Sequence, residues 1–141
     1  MRINIWHLLF ILAALILLVG QVYRHATRLP SEYHIPVHEV VHIQVAPYAR
    51  EGAEPLIISE EEEIEAIIEA YNSAINYRES GWGTMPGLEM TVELTGGDTF
   101  FIRDYTSRVF WVSVEREGKT HEFRVGSREL GREFARLRQH F

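Results

Sequence analysis

Apolar and polar positions follow three different patterns along the chain, and the first is an almost unbroken apolar run. Residues 3–23 hold no charged side chain. As a helix, at 1.5 Å per residue, this run would span about 31 Å, the thickness of the hydrocarbon core of a bilayer. Trp6 and Tyr23 stand where interfacial aromatic residues belong. The pattern predicts a transmembrane anchor that contacts the lipid bilayer through residues 3–23.

The second pattern repeats every 3.6 residues and predicts a helix in the middle of the chain. Its apolar stripe consists of Ile64, Ile67, Ile68, Tyr71 and Ile75. Ser59 and Glu62 match a capping box, and the acidic residues 60–63 suit the positive end of a helix dipole. We expect this helix to begin at Ser59 and to end near Arg78, before a glycine-rich loop.

The third pattern has a period of two residues, which is typical of half-buried strands. Apolar residues alternate with polar ones from Leu88 to Leu94, and Gly-Gly-Asp at residues 96–98 supplies a hairpin turn. Further strands are predicted for residues 37–46, 56–58, 99–105, 109–116 and 120–125. Ser127 then caps a final helix whose apolar face consists of Leu130, Phe134, Leu137 and Phe141.

The order of these elements predicts an α+β fold. After the transmembrane helix comes a mainly antiparallel sheet, in the order β-(β)-α-β-β-β-β-α, with two amphipathic helices packed on one face. Pro30 and Pro36 interrupt regular structure behind the anchor. We therefore assign residues 1–28 to the anchor with short flanks, 29–36 to a linker, and 37–141 to an extracytoplasmic domain.

The anchor predicts a single-pass protein of the cell membrane. Arg2 lies on one side of the apolar run and Arg24 and Arg28 on the other, so the positive-inside rule is nearly balanced. A short tail followed by one hydrophobic helix favours an extracytoplasmic domain. The alternative is a cleaved signal peptide, but its cleavage site near Gly20 would have Leu18 where a small residue belongs.

Charge and composition exclude several functions. Three of the 14 Lys and Arg residues precede Leu29, whereas all 20 Asp and Glu residues follow it, so the soluble part carries a formal charge of −9. This balance argues against nucleic acid as a partner and against a general basic field toward a bilayer. The chain has no cysteine, which excludes disulfides, thiol catalysis and thiolate metal sites. No phosphate-binding loop or nucleophile elbow occurs, and no cofactor is predicted.

One motif suggests catalysis. His38, Glu39 and His42, in the stretch HEVVH, match the pattern of zinc peptidases, which requires a helix so that both histidines reach one ion. Five of the nine residues 37–45 are Val or Ile, and these favour a strand whose face is buried from Val41 onward. On a strand the histidines lie about 13 Å apart, whereas two nitrogens on one zinc lie within about 4.2 Å. We predict no catalytic or metal site, with a membrane-anchored zinc metallopeptidase as the alternative.

Two features suggest a surface for a partner. Arg128, Arg132 and Arg136 form a stripe on the last helix that suits lipid phosphates, an anionic wall polymer or an acidic protein. The other interpretation is that cations near a helix C-terminus complement its dipole and pair with neighbouring glutamates. Trp82, between two glycines, either binds a partner or covers the sheet edge.

Residues 58–74, ISEEEEIEAIIEAYNSA, resemble the "I-[ST]-[DE]-x-E-x-I…L-N-x-A" helix of small envelope proteins from Gram-positive, Bacillus-like bacteria. In those proteins a membrane or lipid anchor precedes a strand, this helix, a β-meander and a closing helix. The resemblance covers residues 37–138 in architecture, but the lipidated cysteine of the lipoprotein members is missing. It implies location and fold and transfers no site residue. The sequence as a whole predicts a non-enzymatic protein that binds or modulates a membrane or cell-wall partner.

Overall fold

A computed structural model describes residues 3–77 and 86–141 of the chain. Its elements are α1 (Ile5–Thr27), β1 (Val40–Pro47), β2 (Leu56–Ile58), α2 (Glu61–Asn72), β3 (Ile75–Asn76), β4 (Leu88–Leu94), β5 (Thr99–Asp104), β6 (Val109–Arg116), β7 (Lys119–Gly126) and α3 (Arg128–Arg138). Two short 3-10 helices, Ser31–Tyr33 and Val37–Glu39, precede β1. The α+β class and the predicted order of helices and strands are confirmed.

The strands described form one antiparallel sheet in the order β2-β1-β4-β5-β6-β7-β3. Strands β4 to β7 are joined in sequence and make the predicted meander. Helix α1 stands outside this sheet. Its span Ile5–Tyr23 has a mean hydropathy of 2.4 and none of it is buried, so it is long and apolar enough to cross a membrane.

The core lies between one face of the sheet and the two helices α2 and α3. The buried residues of the inner strands include Ile43, Val45, Met90, Val92, Phe100, Ile102, Val112 and Val114. From α2, the ring of Tyr71 meets Phe100 edge to face with centroids 6.1 Å apart. From α3, Phe134 packs on Phe110 at 4.8 Å. Removal of these side chains from water is the main stabilising contribution to the fold.

The boundaries of α2 differ from the prediction. Its N-cap is Glu60, no side chain caps it, and the Ser59–Glu62 capping box is therefore wrong. The helix also ends at Asn72 rather than near Arg78. Ile75 keeps helical spacing in the sequence, but it pairs with Gly126 in the sheet and is 45% exposed. Pairing with the edge of β7 takes the place of another helical turn.

Helix α3 begins as predicted but ends earlier than its apolar spacing suggests. The hydroxyl of Ser127 accepts a hydrogen bond from the backbone N–H of Leu130, so the predicted cap is confirmed. The helix ends at Arg138, and Phe141 lies beyond it with 37% of its surface exposed. The prediction that Phe141 joins the buried face is wrong because the helix does not reach that residue.

The first strand begins later than predicted and contains a bulge. Residues Val37–Glu39 form a 3-10 helix, and β1 starts at Val40. Val40 pairs with Leu94 and His42 with Glu93, so Val41 is an extra residue on its strand. A bulge inverts the alternation of faces, and Val41 is 53% exposed, contrary to the expectation that burial begins there.

Residues 29–36, predicted as a linker, are attached to the domain. Leu29 and Ile35 are buried in its core. The side chain of Asn72 accepts a hydrogen bond from the backbone N–H of Ile35 and donates one to its carbonyl, both at 2.8 Å. The backbone N–H of Leu29 donates to the carbonyl of Ala74 at 3.3 Å. Helix α1 is therefore joined to the domain without a loose spacer.

Tyr71 adds a further contact to the same segment. Its side chain is fully buried, and its hydroxyl donates to the carbonyl of Tyr33 at 2.9 Å. Burial raises the pKa of Tyr71 far above its ordinary value, while the charge of Arg116 lowers it by less and Tyr33 raises it further. The phenol consequently stays protonated in the folded domain over the whole range in which an exposed tyrosine ionises.

This pKa shift makes stability fall at alkaline pH. Below pH 10, the ordinary pKa of tyrosine, Tyr71 is protonated in both folded and unfolded states and its contribution is fully present. Above that pH only the unfolded state ionises, and the free energy of unfolding falls by about 1.4 kcal/mol per pH unit. Tyr71→Phe should cost about 1 kcal/mol at neutral pH. Urea unfolding of both proteins at neutral pH and at pH 11 should show that this cost vanishes near pH 11. The same cost at both pH values would contradict the prediction.

Candidate functional site

A cavity of about 320 Å³ opens between the β5–β6 loop and helix α3. It is lined by Ser107, Arg108, Arg128, Gly131, Arg132 and Ala135. We call it the arginine cavity, because three of these side chains are arginines. None of the described residues that line it is acidic. The cavity thus combines a concave shape with charge of one sign.

The loop and the helix are held together by backbone contacts. A β-carbon added at Gly131 would lie only 2.1 Å from the carbonyl oxygen of Ser107, so the two backbones touch. The backbone N–H of Ser127 donates to the carbonyl of Arg108 at 2.9 Å. Thr106 Oγ1 accepts from the N–H of Arg108 at 3.2 Å and from that of Val109 at 3.1 Å. These contacts fix the backbones from which the arginines extend.

Ser127 connects the site to the other helix. Its buried hydroxyl accepts from Leu130 N–H at 3.0 Å and lies 3.2 Å from the carbonyl of Ala70 in α2, to which it donates. The start of α3 is therefore anchored in the core. Rigid positioning of this kind lowers the entropy lost when a ligand binds.

The three arginines of the cavity are exposed, and none forms an ion pair with the residues that the structure describes. Arg128 is the first residue of α3 and so lies at the positive end of the helix dipole, where an acidic side chain is favoured. One acidic residue, Glu129, shares that first turn. Few negative charges lie close enough to offset the positive field around the cavity. The cavity therefore suits an anion.

The rest of the predicted arginine stripe behaves differently. Arg136 binds Glu133 on its own helix and Glu63 on α2, at 2.8 and 2.9 Å. The hydrogen bond that Arg136 donates to Glu133 raises the pKa of Arg136, burial lowers it by less, and the hydrogen bond that Arg136 donates to Glu63 raises it further. Arg138 pairs with Asp104 of β5. The interpretation that the arginines of the stripe pair with neighbouring glutamates therefore applies to Arg136. Arg128 and Arg132 instead line the cavity.

Arg108 is the cavity residue that the sequence did not single out. It lies in the loop between β5 and β6, where an isolated basic residue carries no pattern. Its position beside Arg128 and Arg132 results from the contact of this loop with α3. Trp82, the other predicted partner residue, lies outside the described residues.

The HEVVH motif is divided between two elements. His38 and Glu39 belong to the 3-10 helix Val37–Glu39 rather than to the strand that we expected, and His42 lies in β1. The ring of His42 is 3.9 Å from the carboxylate of Glu93, and the carbonyl of Glu39 accepts from Thr95 N–H. No α-helix carries the motif. Over residues 3–77 and 86–141, no three His, Asp or Glu side chains are grouped to hold a metal ion.

Comparison with protein families, with curated proteins and with solved structures finds no match to this chain. The resemblance to envelope proteins of Gram-positive bacteria therefore stays a prediction.

Proposed function

We propose that the protein is a non-enzymatic, single-pass membrane protein whose domain binds an anionic group of an envelope partner in the arginine cavity. The observation that carries the proposal is the group of three exposed arginines, Arg108, Arg128 and Arg132, around one concavity of an acidic domain. We place the domain on the extracytoplasmic side, which protease added to intact spheroplasts would test by cleaving it.

The chemistry of arginine supports binding in preference to catalysis. A guanidinium group keeps its charge at any physiological pH and cannot serve as a general base. It presents planar pairs of N–H donors that match carboxylate and phosphate oxygens. Among the described residues lining the cavity, the remaining side chains are those of Ser107 and Ala135, with Gly131 between the arginines. Such a lining suits an anion, and its described residues include no general base that could activate the hydroxyl of Ser107.

Pyrophosphate binding to the full chain tests this function. The chain is reconstituted in nanodiscs of phosphatidylcholine, which carry no net charge, and pyrophosphate is titrated by calorimetry. Arg132→Gln should weaken binding at least about tenfold, because a charge-assisted hydrogen bond contributes roughly 1.5–3 kcal/mol. The triple variant Arg108→Gln, Arg128→Gln, Arg132→Gln should bind no measurable pyrophosphate.

Lys119→Gln is the matched control. It removes the same charge from an exposed side chain at the opposite end of β7, about 23 Å from Gly126 at 3.3 Å per residue. Its affinity for pyrophosphate should stay within about twofold of the unaltered chain, since screening removes most of the interaction between exposed charges at this distance. Equal losses in Arg132→Gln and Lys119→Gln, or no binding by the unaltered chain, would contradict the proposed function.

A further inference from the structure

The arginine cavity lies at the end of the sheet where the anchor enters the domain. Arg28, which directly follows α1, forms a bridge with Ile75. Ile75 pairs with Gly126, and Gly126 pairs with Val109, so the four residues form one row across the strands. With about 5 Å between paired residues, the row is roughly 15 Å long. Arg108 directly precedes its last residue, and Arg128 follows Gly126 by two positions.

A second cavity continues the surface from the anchor to the arginines. It has a volume of about 310 Å³, and Ile75, Tyr77, Arg108 and Arg128 are among its lining residues. Arg108 and Arg128 therefore border both cavities. One acidic residue, Glu129, also lines this second cavity. A continuous concave surface with two arginines thus begins beside the residue that follows the membrane helix.

The junction leaves the domain little room to move away from the bilayer. Leu29 is buried and bonded to Ala74, and Asn72 holds both backbone groups of Ile35. No residue lies between Thr27, the last residue of α1, and Arg28, which forms the bridge to Ile75 of the sheet. The anchor thus keeps the arginine end of the domain close to the lipid headgroups.

We propose that the arginine cavity binds the phosphate groups of anionic phospholipids in the membrane that carries the anchor. The inference rests on the proposed function and names the anion. The soluble part has a formal charge of −9, so an anionic surface repels most of it and attracts the arginine end. Contact with an anionic bilayer therefore turns the arginine end of the domain toward the lipid. Each basic residue at an anionic membrane surface favours contact about fivefold, and three together favour it on the order of 100-fold.

Fluorescence quenching in nanodiscs tests this contact. The chain has no cysteine, so Asn76→Cys gives a single attachment site for a fluorophore on β3, beside Ile75 and outside the linings of both cavities. The labelled full chain is placed in discs of phosphatidylcholine or of phosphatidylcholine mixed with phosphatidylglycerol, each with a trace of lipid bearing a nitroxide headgroup. We expect stronger quenching in the phosphatidylglycerol discs, and loss of this difference in high salt.

Variants separate the arginines from charge in general. Arg108→Gln, Arg128→Gln and Arg132→Gln combined should abolish the phosphatidylglycerol effect, while Lys119→Gln should retain it. Near-ultraviolet circular dichroism checks that each variant is folded. Equal quenching of the labelled chain with all three arginines in both kinds of disc would overturn the inference, as would a phosphatidylglycerol effect that survives loss of the three arginines.

The pyrophosphate titration distinguishes failure of the lipid inference from failure of the proposed function. Pyrophosphate binding without a phosphatidylglycerol effect would keep the proposed function and assign the anion to a soluble or wall-bound phosphate, which overturns the lipid inference. Loss of both signals would overturn the cavity as an anion site. Quenching that depends on phosphatidylglycerol and on the arginines supports the inference.

Discussion

Replacing Gly131 with alanine should lower the free energy of unfolding by about 3 kcal/mol. The new β-carbon would lie 2.1 Å from the carbonyl oxygen of Ser107, far inside any real contact. The oxygen belongs to the backbone, and the position of a β-carbon is fixed by the backbone that carries it, so no side-chain rotation relieves the overlap. Helix α3 or the β5–β6 loop would have to move, and the hydrogen bond between Ser127 and Arg108 with it.

The sign of this change is informative because helix propensity acts in the opposite direction. Alanine within a helix is favoured over glycine by about 1 kcal/mol, so an uncrowded Gly131→Ala would stabilise the protein. Gly96→Ala is the control, since nothing lies within 4 Å of its added β-carbon. Urea unfolding of the two variants should show a large loss for Gly131→Ala and little change for Gly96→Ala. A Gly131→Ala variant more stable than the unaltered chain would refute the close contact.

The same substitution should affect binding. Gly131 lines the arginine cavity, and the movement that admits a β-carbon would separate Arg108 from Arg128 and Arg132. Even where the variant is folded at low temperature, its affinity for pyrophosphate should fall. Stability and binding are linked here because one backbone contact supports both.

Asn72→Ala should cost about 2–4 kcal/mol and loosen the junction between anchor and domain. The substitution removes both hydrogen bonds to Ile35, which is buried, so its N–H and carbonyl would be left without partners. Each buried group left unpaired costs about 1–3 kcal/mol. Urea unfolding measures the total, and hydrogen exchange at the Ile35 amide should accelerate.

Ser73→Ala is a neighbouring control. Among the described residues, the Ser73 hydroxyl makes one hydrogen bond, to the carbonyl of Ala70 in the last turn of α2, and its loss should cost less than about 1 kcal/mol. Asn72→Ala should keep pyrophosphate binding, because the arginine cavity lies elsewhere, but should weaken quenching by headgroup lipids. An Ile35 amide that exchanges no faster in Asn72→Ala would show that the two hydrogen bonds of Asn72 do not hold the junction.

The local patterns of the sequence predicted the elements of this fold. An apolar run of membrane length identified α1, the period of 3.6 identified both domain helices, and the period of 2 identified the meander. Each of these patterns is visible in residues that are close in sequence. The cap at Ser127 was found in the same way, since its hydroxyl bonds to Leu130, only three residues away. Element type follows from short-range sterics and from which side chains must leave water.

Element boundaries depended on contacts that adjacent residues do not reveal. Ile75 fits the helical stripe, but it pairs with Gly126 of β7 and therefore belongs to the sheet. The bulge at Val41 arises from how β1 pairs with β4, and it leaves Val41 exposed although Ile43 and Val45 of the same predicted face are buried. Pro30 and Pro36 indicate a linker, yet Asn72 fastens that segment from 37 residues away.

The sequence by itself determined that this protein has a membrane-length helix, an acidic α+β domain and a basic stripe on its last helix. Only the tertiary structure decided which basic residues form a site. It paired Arg136 with Glu63, which is 73 residues distant, and it brought Arg108 to Arg128 and Arg132 through the contact of Gly131 with Ser107. The physical reason is that a charge is neutralised or left available by whatever the packed chain places beside it, and packing joins residues that are remote in sequence.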